Sequence, residues 1–323
     1  MKYDLITIGD IKLDTFVVLE NASVHCELKM PECKLCLDYG KKIPVKIVDS
    51  QIAGSAPNVA VGLARMGRKT AVVSVMGQDS TSKLALEVMK NERVDTRFIK
   101  LSPKSESSFS IVLNYKGDKT ILASHLPRAY RLPNIDGPKW LYMSELGDGY
   151  EKLFADVATA VKRHKIRLGF NPGAVQINHG KQILFELIKV TTLLVVNLEE
   201  AQMLTKEKTT EIHGLLAALA RLGPKTVVIT DGKNGAWSFD GATTYFCPIF
   251  PVKVVESTGA GDAFSSGMIG ALLHNLPLSE ALRWGAVDSA SVIGFVGPQK
   301  GLLSVAQIKS RLKKAVWFKT KKM

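Results

Sequence analysis

Between Trp140 and Thr230 the sequence alternates short apolar runs with longer amphipathic runs, and this alternation restricts the fold more than any other feature. It predicts buried strands at 140–143, 167–170, 193–196 and 226–230, with helices at 150–164, at 181–190 and up to residue 222. Strands separated by helices are typical of a mostly parallel sheet with helices on both faces. Ligands of such sheets bind beyond the carboxyl ends of the strands, so we expect functional residues directly after them.

Two further segments predict a second, smaller sheet. After the predicted buried strand Tyr3–Ile8, β-rich runs follow at Thr15–Glu20, at Ile43–Ile52 and at 107–123, where Lys116-Gly117-Asp118 indicates a hairpin turn. Residues 21–40 are predicted to be irregular. We therefore predict a single α/β domain over residues 1–323 that carries a small β-sheet lid, built from insertions at about 11–52 and 105–125.

Composition bounds the class of protein. The chain of 323 residues is 46% hydrophobic and 23% charged, which is typical of a globular protein. No apolar run reaches the ~18 residues of a membrane span, and the start, Met1-Lys2-Tyr3-Asp4, does not read as a signal peptide. The sequence therefore predicts a cytoplasmic location and no membrane partner.

The net charge of +13 favours anionic ligands. Much of it lies in residues 309–322, which predict either a solvated terminal helix and tail or a contact with nucleic acid. Because no RNA-binding signature accompanies these lysines, we expect no nucleic-acid partner.

The cysteines leave two alternatives. Cys33-x-x-Cys36 is half of a zinc-ribbon spacing, and His25 and Cys26 could complete a site only if the chain folds back. The other alternative is free thiols in a reducing compartment.

The stretch Glu256–Phe264 combines small residues with one carboxylate. An extended apolar run, Phe246–Val255, leads into it, and a helix-like run, Ala263–His274, leaves it. Gly259, Ala260 and Gly261 let the backbone approach a ligand, and a helix beginning here aims N–H groups at an anion. Asp262 could then act as a general base. The alternative is a glycine-rich turn with an N-capping aspartate.

This stretch resembles the signature of the PfkB (ribokinase-like) family of sugar and nucleoside kinases, Asp-Thr-x-Gly-Ala-Gly-Asp, with Glu256 and Ser257 in place of its first two residues. The resemblance implies a ribokinase-like fold and ATP-dependent transfer of a phosphoryl group to a hydroxyl of a sugar or sugar-like molecule. It also implies that Asp262 is the base and that Gly259, Ala260 and Gly261 form the anion hole. A nucleoside kinase of the same fold and a non-catalytic nucleotide- or nucleic-acid-binding relative are the alternatives.

Four residues are candidates for binding the acceptor. Asp14 lies five residues after Gly9, where the resemblance implies a carboxylate that contacts substrate hydroxyls; otherwise it caps a turn. Gly54 and Asn58 match the family's first signature, although Ala53 replaces its first glycine. Glu145 follows the strand 140–143 and could face the substrate.

Five residues are candidates for binding the nucleotide. Asn197 and Glu200 follow the strand 193–196 and lie on one face of a predicted helix start, where they could hold a hydrated Mg²⁺. The alternative is a helix cap with a solvated glutamate. Thr230, Gly232 and Gly235 follow the next strand, and the resemblance implies that this loop approaches ATP.

The resemblance has two more implications. Many relatives use K⁺ at the signature's first acidic residue, so Glu256 is a candidate K⁺ ligand; the alternative is that it pairs with a base such as Lys253. The lid strands leave an open sheet edge, and lids of similar kinases pack together, so we expect a homodimer through the lid.

Overall fold

In a computed structural model of the chain, the described residues are 2–20, 22–26, 33–103, 105–115, 118–124 and 126–323. The strands are β1 (Leu5–Ile8), β2 (Lys12–Leu19), β3 (Ser23–Cys26), β4 (Cys33–Cys36), β5 (Val45–Ala53), β6 (Thr70–Gly77), β7 (Ile99–Ser102), β8 (Ser108–Tyr115), β9 (Asp118–Ser124), β10 (Trp140–Met143), β11 (Arg167–Phe170), β12 (Leu193–Asn197), β13 (Thr226–Thr230), β14 (Ala236–Phe239), β15 (Thr244–Cys247) and β16 (Lys321–Lys322). The helices are α1 (Ser55–Arg65), α2 (Ser80–Asn91), α3 (Glu151–His164), α4 (Ala174–His179), α5 (Gln182–Lys189), α6 (Leu198–Thr205), α7 (Ile212–Arg221), α8 (Ala260–Leu273), α9 (Leu278–Val292) and α10 (Val305–Lys314).

The main sheet has the strand order β16-β15-β14-β13-β12-β11-β10-β1-β6-β7. The seven strands from β13 to β7 are parallel, and β14, β15 and β16 continue the sheet in antiparallel fashion. β1 lies between β6 and β10, so the chain segments that follow β1 and β10 emerge side by side. This arrangement confirms the mostly parallel sheet that the alternation predicts.

Alternate residues along the strands divide the core into two layers, because successive side chains of a strand point to opposite faces. Ile6 and Met143 pack in one layer with apolar residues of α3, α5, α6 and α7. Leu5 and Tyr142 pack in the other with residues of α1, α8, α9 and α10. Helices therefore cover both faces of the sheet, as the sequence predicts.

A separate four-stranded sheet, which we call the lid, has the order β5-β2-β8-β9. It joins β2 to β8 in parallel and pairs β2 with β5 and β8 with β9 in antiparallel fashion, which confirms the predicted second sheet. Lys116 and Gly117 of the predicted hairpin turn lie outside the described residues. β2 begins at Lys12, so Asp14 lies within a strand and the turn-capping alternative is wrong.

Three sequence expectations need correction. Residues 21–40 contain a hairpin of β3 and β4, in which Cys26 lies opposite Cys33 in the backbone register. The run Phe246–Val255 is not one extended strand: β15 ends at Cys247, where Pro248 and then Pro251 remove N–H donors from the sheet. The sequence also missed two short elements, β7 and α4.

The zinc alternative stays untested, since the side chains of Cys26 and Cys33 lie outside the described residues. In the part of the chain that the structure describes, no three or more His, Cys, Asp or Glu side chains cluster as metal ligands would.

The basic end of the chain is attached to the main sheet. α10 ends at Lys314, and Phe246 of β15 pairs with Lys321 of β16. The predicted terminal helix is therefore present, whereas the last residues form an edge strand. Within the described ranges, every helix is too short or too polar to cross a membrane.

Candidate active site

The first turn of α8 carries the glycine-rich stretch. Gly259 is its N-cap with φ 77°, and a Cβ there would lie 2.4 Å from Cβ of Pro298. Both the backbone conformation and the lack of space for a side chain therefore favour glycine at this position. Among the described residues, no side chain caps this helix end. A Cβ added at Gly261 would meet no described atom within 4 Å, so the space before the helix is open. Uncapped N–H groups facing open space suit an anion.

Asp262 lies in this turn and is half-buried. Its Oδ2 accepts a hydrogen bond of 2.8 Å from Nδ2 of Asn58, and Oδ1 of Asn58 accepts one of 2.9 Å from Nε2 of Gln299. Burial raises the pKa of Asp262, while the Asn58 bond and the charge of Lys12 oppose the rise. The structure therefore places Asn58 beside the candidate base, with both ends of its amide hydrogen-bonded.

Asn58 reaches Asp262 because α1 begins at a tight turn. Gly54 is the N-cap of α1 with φ 119°, and a Cβ there would lie 2.3 Å from the carbonyl oxygen of Asp10. Asp10 itself accepts hydrogen bonds from the Tyr130 hydroxyl at 2.6 Å and from the backbone N–H of Gly147 at 2.9 Å. Because Gly54 has no side chain, the start of α1 can lie directly against the backbone of Asp10. This close approach is a structural reason for glycine at this position.

Asp14 and Glu145 lie on the lid side of the site. Lys12, which the sequence reading did not select, donates a hydrogen bond of 3.2 Å from Nζ to Oε2 of Glu145. Asp14 is 7% exposed, and its Oδ1 is buried with no hydrogen-bond partner among the described residues. Burial raises the pKa of Asp14, and the charge of Lys12 lowers it. A buried acceptor without a donor is costly, so a donor from a ligand would be favourable here.

The negative charge of Glu145 acts on carboxylates on both sides of the site. Burial raises the pKa values of Asp14, Asp262 and Glu200, and the negative charge of Glu145 adds to each rise. The structure therefore brings Glu145 into the neighbourhood of the acceptor, base and metal candidates.

A cavity of about 330 Å³ lies on the other side of the first turn of α8. Thr230, Gly232 and Gly235 line it together with Ala260 and Gly261. Much of the remaining wall is apolar, from Ile249, Phe250, Val254 and Ile293. A cavity with an apolar wall at one end and backbone N–H groups at the other suits a ligand with a ring and an anionic chain.

Asn197 and Glu200 form a reciprocal cap of α6. The Asn197 side chain accepts from the backbone N–H of Glu200 at 2.8 Å, and Oε2 of Glu200 accepts from the backbone N–H of Asn197 at 2.9 Å. Asn171, at the end of β11, also donates from Nδ2 to Oε2 of Glu200 at 3.4 Å. The capping alternative is therefore correct for Asn197, and Asn171 is an additional polar neighbour.

Glu200 has only neutral donors among these contacts. Burial raises its pKa to about 7, although the Asn197 and Asn171 hydrogen bonds oppose the rise, and Glu145 and Glu199 add repulsion. A cation nearby would stabilise this carboxylate, and carboxylate and amide oxygens are suitable donors for Mg²⁺ and its waters. The residues present fit the predicted metal.

Glu256 is 8% exposed and lies just before α8. Its Oε1 accepts hydrogen bonds of 2.6 Å from both the backbone N–H and the hydroxyl of Thr258. The base that lies near Glu256 is Lys119 of the lid strand β9, with Nζ 4.0 Å from Oε1, and not the Lys253 that the sequence alternative names.

Comparison with known proteins agrees with this geometry. The chain matches the pfkB family carbohydrate kinase over residues 18–304. It is 26% identical over 248 residues to an uncharacterised sugar kinase of Archaeoglobus fulgidus, covering 75% of this chain and 98% of that protein. It is also 26% identical over 265 residues to a ribokinase of Haemophilus influenzae, covering 77% and 83% of the two chains.

Solved structures share the fold. An Arabidopsis thaliana ribokinase complexed with ribose and ATP has a TM-score of 0.81 at 22% identity, covering 97% of this chain and 99% of that one. A Methanocaldococcus jannaschii nucleoside kinase gives 0.75 at 21% identity with coverages of 97% and 99%. An E. coli putative ribokinase II in complex with ATP and Mg²⁺ gives 0.77 at 17% identity, again covering 97% and 99%.

Fold and matches together define a phosphotransferase that acts on hydroxyl groups. The chain belongs to the pfkB family of carbohydrate kinases.

Proposed function

We propose that this protein transfers the γ-phosphoryl group of ATP to a hydroxyl group of a sugar or sugar-like small molecule, with Asp262 as the general base. The observation that carries the proposal is the position of Asp262. It lies in the uncapped first turn of α8, between the cavity lined by Ala260 and Gly261 and the lid-side carboxylates.

Each part of this turn has a task in the reaction. Asp262 takes the proton from the attacking hydroxyl, and the raised pKa that burial gives it makes it a stronger base. The N–H groups of Gly259, Ala260 and Gly261 stabilise negative charge on the transferring phosphoryl group. Asn58 holds the Asp262 carboxylate through the 2.8 Å hydrogen bond, so that one oxygen is fixed while the other faces the acceptor.

The acceptor lies, in this proposal, between Asp14 and Asp262. The partnerless Oδ1 of Asp14 accepts a hydrogen bond from a substrate hydroxyl, which satisfies a buried oxygen. Among the described residues on this side, the carboxylates Asp14, Glu145 and Asp262 outnumber the cations Lys12 and Lys119. An uncharged polyol therefore suits the site better than an acceptor that already carries a phosphate.

The nucleotide occupies the 330 Å³ cavity, with its ring against the apolar wall and its phosphates towards Gly261. Thr230, Gly232 and Gly235 form the loop beside it. Glu200 and Asn197 would hold Mg²⁺ and its waters, and the ion would supply neutralisation of the triphosphate charge. Asn171 and the α6 cap keep the Glu200 carboxylate in place.

Turnover of ATP with a panel of sugars tests the proposal, and Asp262→Asn tests the base. The variant keeps the shape and the Asn58 contact but removes basicity, so we expect kcat to fall by about two to four orders of magnitude with ATP affinity retained. Asp136→Asn, which changes an exposed aspartate far from this turn in sequence, is the matched control and should keep normal kcat. Near-normal turnover of Asp262→Asn would remove Asp262 from the mechanism.

A nucleoside acceptor is the second candidate, since the Methanocaldococcus jannaschii structure with the same fold is described as a nucleoside kinase. Nucleosides therefore belong in the same panel, and higher kcat/KM with them than with sugars would decide for this alternative. ATP binding without turnover of any acceptor would instead favour a non-catalytic relative.

The lid is also proposed as a homodimer contact. It exposes large apolar side chains on three of its strands, namely Val45, Ile47, Phe109, Ile121 and Leu122. Apolar side chains on an open sheet need cover, and a second lid supplies the same surface.

A further inference from the structure

A charged contact joins the lid to the start of α8. Lys119, on the edge strand β9, donates a hydrogen bond of 3.3 Å from Nζ to the Thr258 hydroxyl and lies 4.0 Å from Oε1 of Glu256. The Lys119 side chain is 28% exposed and that of Glu256 is 5% exposed, so the pair is largely withdrawn from water. Removal of one partner from an ion pair in such a place leaves an uncompensated charge away from water, which is more costly than the same change on the surface.

The hydrogen bonds around this pair form a short chain. Lys119 donates to the Thr258 hydroxyl, and that hydroxyl donates to Oε1 of Glu256 at 2.6 Å, as does the Thr258 backbone N–H. Glu256 thereby fixes the residue directly before Gly259, the N-cap of α8. The charge of Lys119 is therefore coupled to the turn that forms the proposed anion hole.

The fields of three carboxylates meet at this ammonium group. Burial lowers the pKa of Lys119, and the charges of Glu256, Asp262 and Asp14 oppose that shift, with Glu256 the largest of the three. The positive charge of Lys119 therefore balances the negative charges of Asp262 and Asp14 as well as that of Glu256.

These residues do not fit a separate K⁺ ion at Glu256. One oxygen of the carboxylate already accepts two hydrogen bonds from Thr258, and the ammonium supplies the positive charge that balances it. A further monovalent cation would add a second positive charge to a pair that is already neutral. The other oxygen, Oε2, is buried and has no partner among the described residues, so it is available to a free cation once the charge of Lys119 has been removed.

We propose that the Lys119 ammonium group takes the place of a bound monovalent cation at Glu256. The lid strand β9 positions this ammonium group next to Glu256 and Thr258, so the protein needs no dissociable cation there. Because Lys119 belongs to the lid, its positive charge lies next to Glu256 only when the lid is in place. The turn before α8 therefore has its full set of contacts only with the lid in place. The effect on turnover rests on the proposed kinase function, whereas the effect on stability does not.

The structure also provides a path for replacing the tethered group by a free ion. A cavity of about 250 Å³ lies between the lid and the loop before α8, lined by Lys119, Glu256, Ser257, Phe16 and Tyr115. Truncation of Lys119 enlarges this cavity next to the Glu256 carboxylate, and a small cation can enter it from solvent.

The test compares wild type with Lys119→Ala in chloride salts of K⁺, NH₄⁺ and tetramethylammonium at matched ionic strength, measuring Tm and ATP turnover. Wild type should have the same Tm and rate in all three salts. Lys119→Ala should have a Tm several degrees lower in tetramethylammonium, because Glu256 has lost its counter-charge, and K⁺ or NH₄⁺ should restore it in a saturable manner. Lys46→Ala, an exposed lysine on β5 of the same lid, is the matched control and should respond to no cation.

A second variant keeps the test decisive if Lys119→Ala folds poorly. Lys119→Ala/Glu256→Gln removes both charges, so it should be more stable than Lys119→Ala and indifferent to the cation. Saturable stabilisation of wild type by K⁺, or a Lys119→Ala variant that behaves like Lys46→Ala in every salt, would overturn the proposal. Because Tm reports on the pair without any acceptor, a failure of the kinase function would be visible separately as absent turnover with the Tm pattern intact.

Discussion

At the scale of single residues, Asp14 shows how burial prepares a group for a ligand. The carboxylate lies within a lid strand, is 7% exposed and holds one oxygen without a partner among the described side and main chains. A buried oxygen without a donor has lost its hydrogen bonds to water, which is unfavourable in free energy. A hydrogen bond from a substrate hydroxyl would remove this penalty. For this reason we propose that Asp14 contacts the acceptor and not the nucleotide.

Asp14→Asn should therefore raise KM for the acceptor at least about tenfold, the loss expected for a hydrogen bond to a charged group, while KM for ATP changes little. Initial rates over a grid of both substrates measure the two constants. Asp38→Asn, an exposed aspartate of the inserted segment, should leave both unchanged. Equal increases in the two KM values would contradict the assignment of Asp14 to the acceptor.

At the scale of elements, α8 and α9 are joined by a buried carboxylate that lies outside the proposed chemistry. Asp288 on α9 is 0% exposed and accepts hydrogen bonds of 2.9 Å from the Ser266 hydroxyl of α8 and 2.9 Å from the backbone N–H of Leu303. Burial raises its pKa from 3.8 to about 7, although both hydrogen bonds oppose the rise. The packing of the helix that carries Asp262 is therefore linked to protonation of Asp288.

The sign of this link follows from the raised pKa. The folded protein keeps the proton of Asp288 in the range where the unfolded chain has lost it, so the stabilisation is complete below about pH 3.8 and is lost as pH rises through about 7. Asp288→Asn cannot ionise, and its amide can still donate to Ser266 and accept from Leu303. We expect the free energy of unfolding of the variant, relative to wild type, to increase from pH 5 to pH 8. Urea unfolding at several pH values measures it, and parallel profiles would contradict the link.

The sequence predicted the elements best where apolar periodicity was complete. The limits of β10, β11 and β13 agree with the structure, since each is a short apolar run with clear end signals. It failed at the antiparallel pair of β3 and β4, whose short runs carry little apolar periodicity, and at Phe246–Val255, where prolines interrupt an apolar run.

The candidate site divides in a similar way. Residues at or just after the carboxyl ends of strands, such as Thr230 at the end of β13 and Glu200 in α6 after β12, could be selected from the sequence alone. Lys12, Lys119 and Gln299 could not, because their partners come from distant segments. Lys119, for instance, meets Glu256 only once β9 has paired within the lid, and no local pattern encodes that meeting.

At the scale of the whole molecule, we propose that the lid mediates dimerisation. Ile47 is 64% exposed and Leu122 is 53% exposed, on the two opposite edge strands of the lid. We expect the protein to be a homodimer, because a second lid would cover this surface. Ile47→Lys and Leu122→Lys together should shift it towards monomer in sedimentation velocity, since charged residues on an edge oppose pairing. Lys321→Glu, on the edge strand of the main sheet, is a control that should leave the dimer intact. A wild-type monomer at all concentrations would contradict the proposal.

The parallel pairing of β2 with β8 has a consequence for the order in which the chain folds. Lys12 pairs with Ser108, nearly a hundred residues further along, and the segment between them includes β6, which must itself pair with β1. The hairpin-like halves β2–β5 and β8–β9 can each form early, but their junction has to wait for the main sheet because closing so long a loop is entropically expensive. We therefore expect the lid to complete its four-stranded sheet only after β1 and β6 have paired within the main sheet.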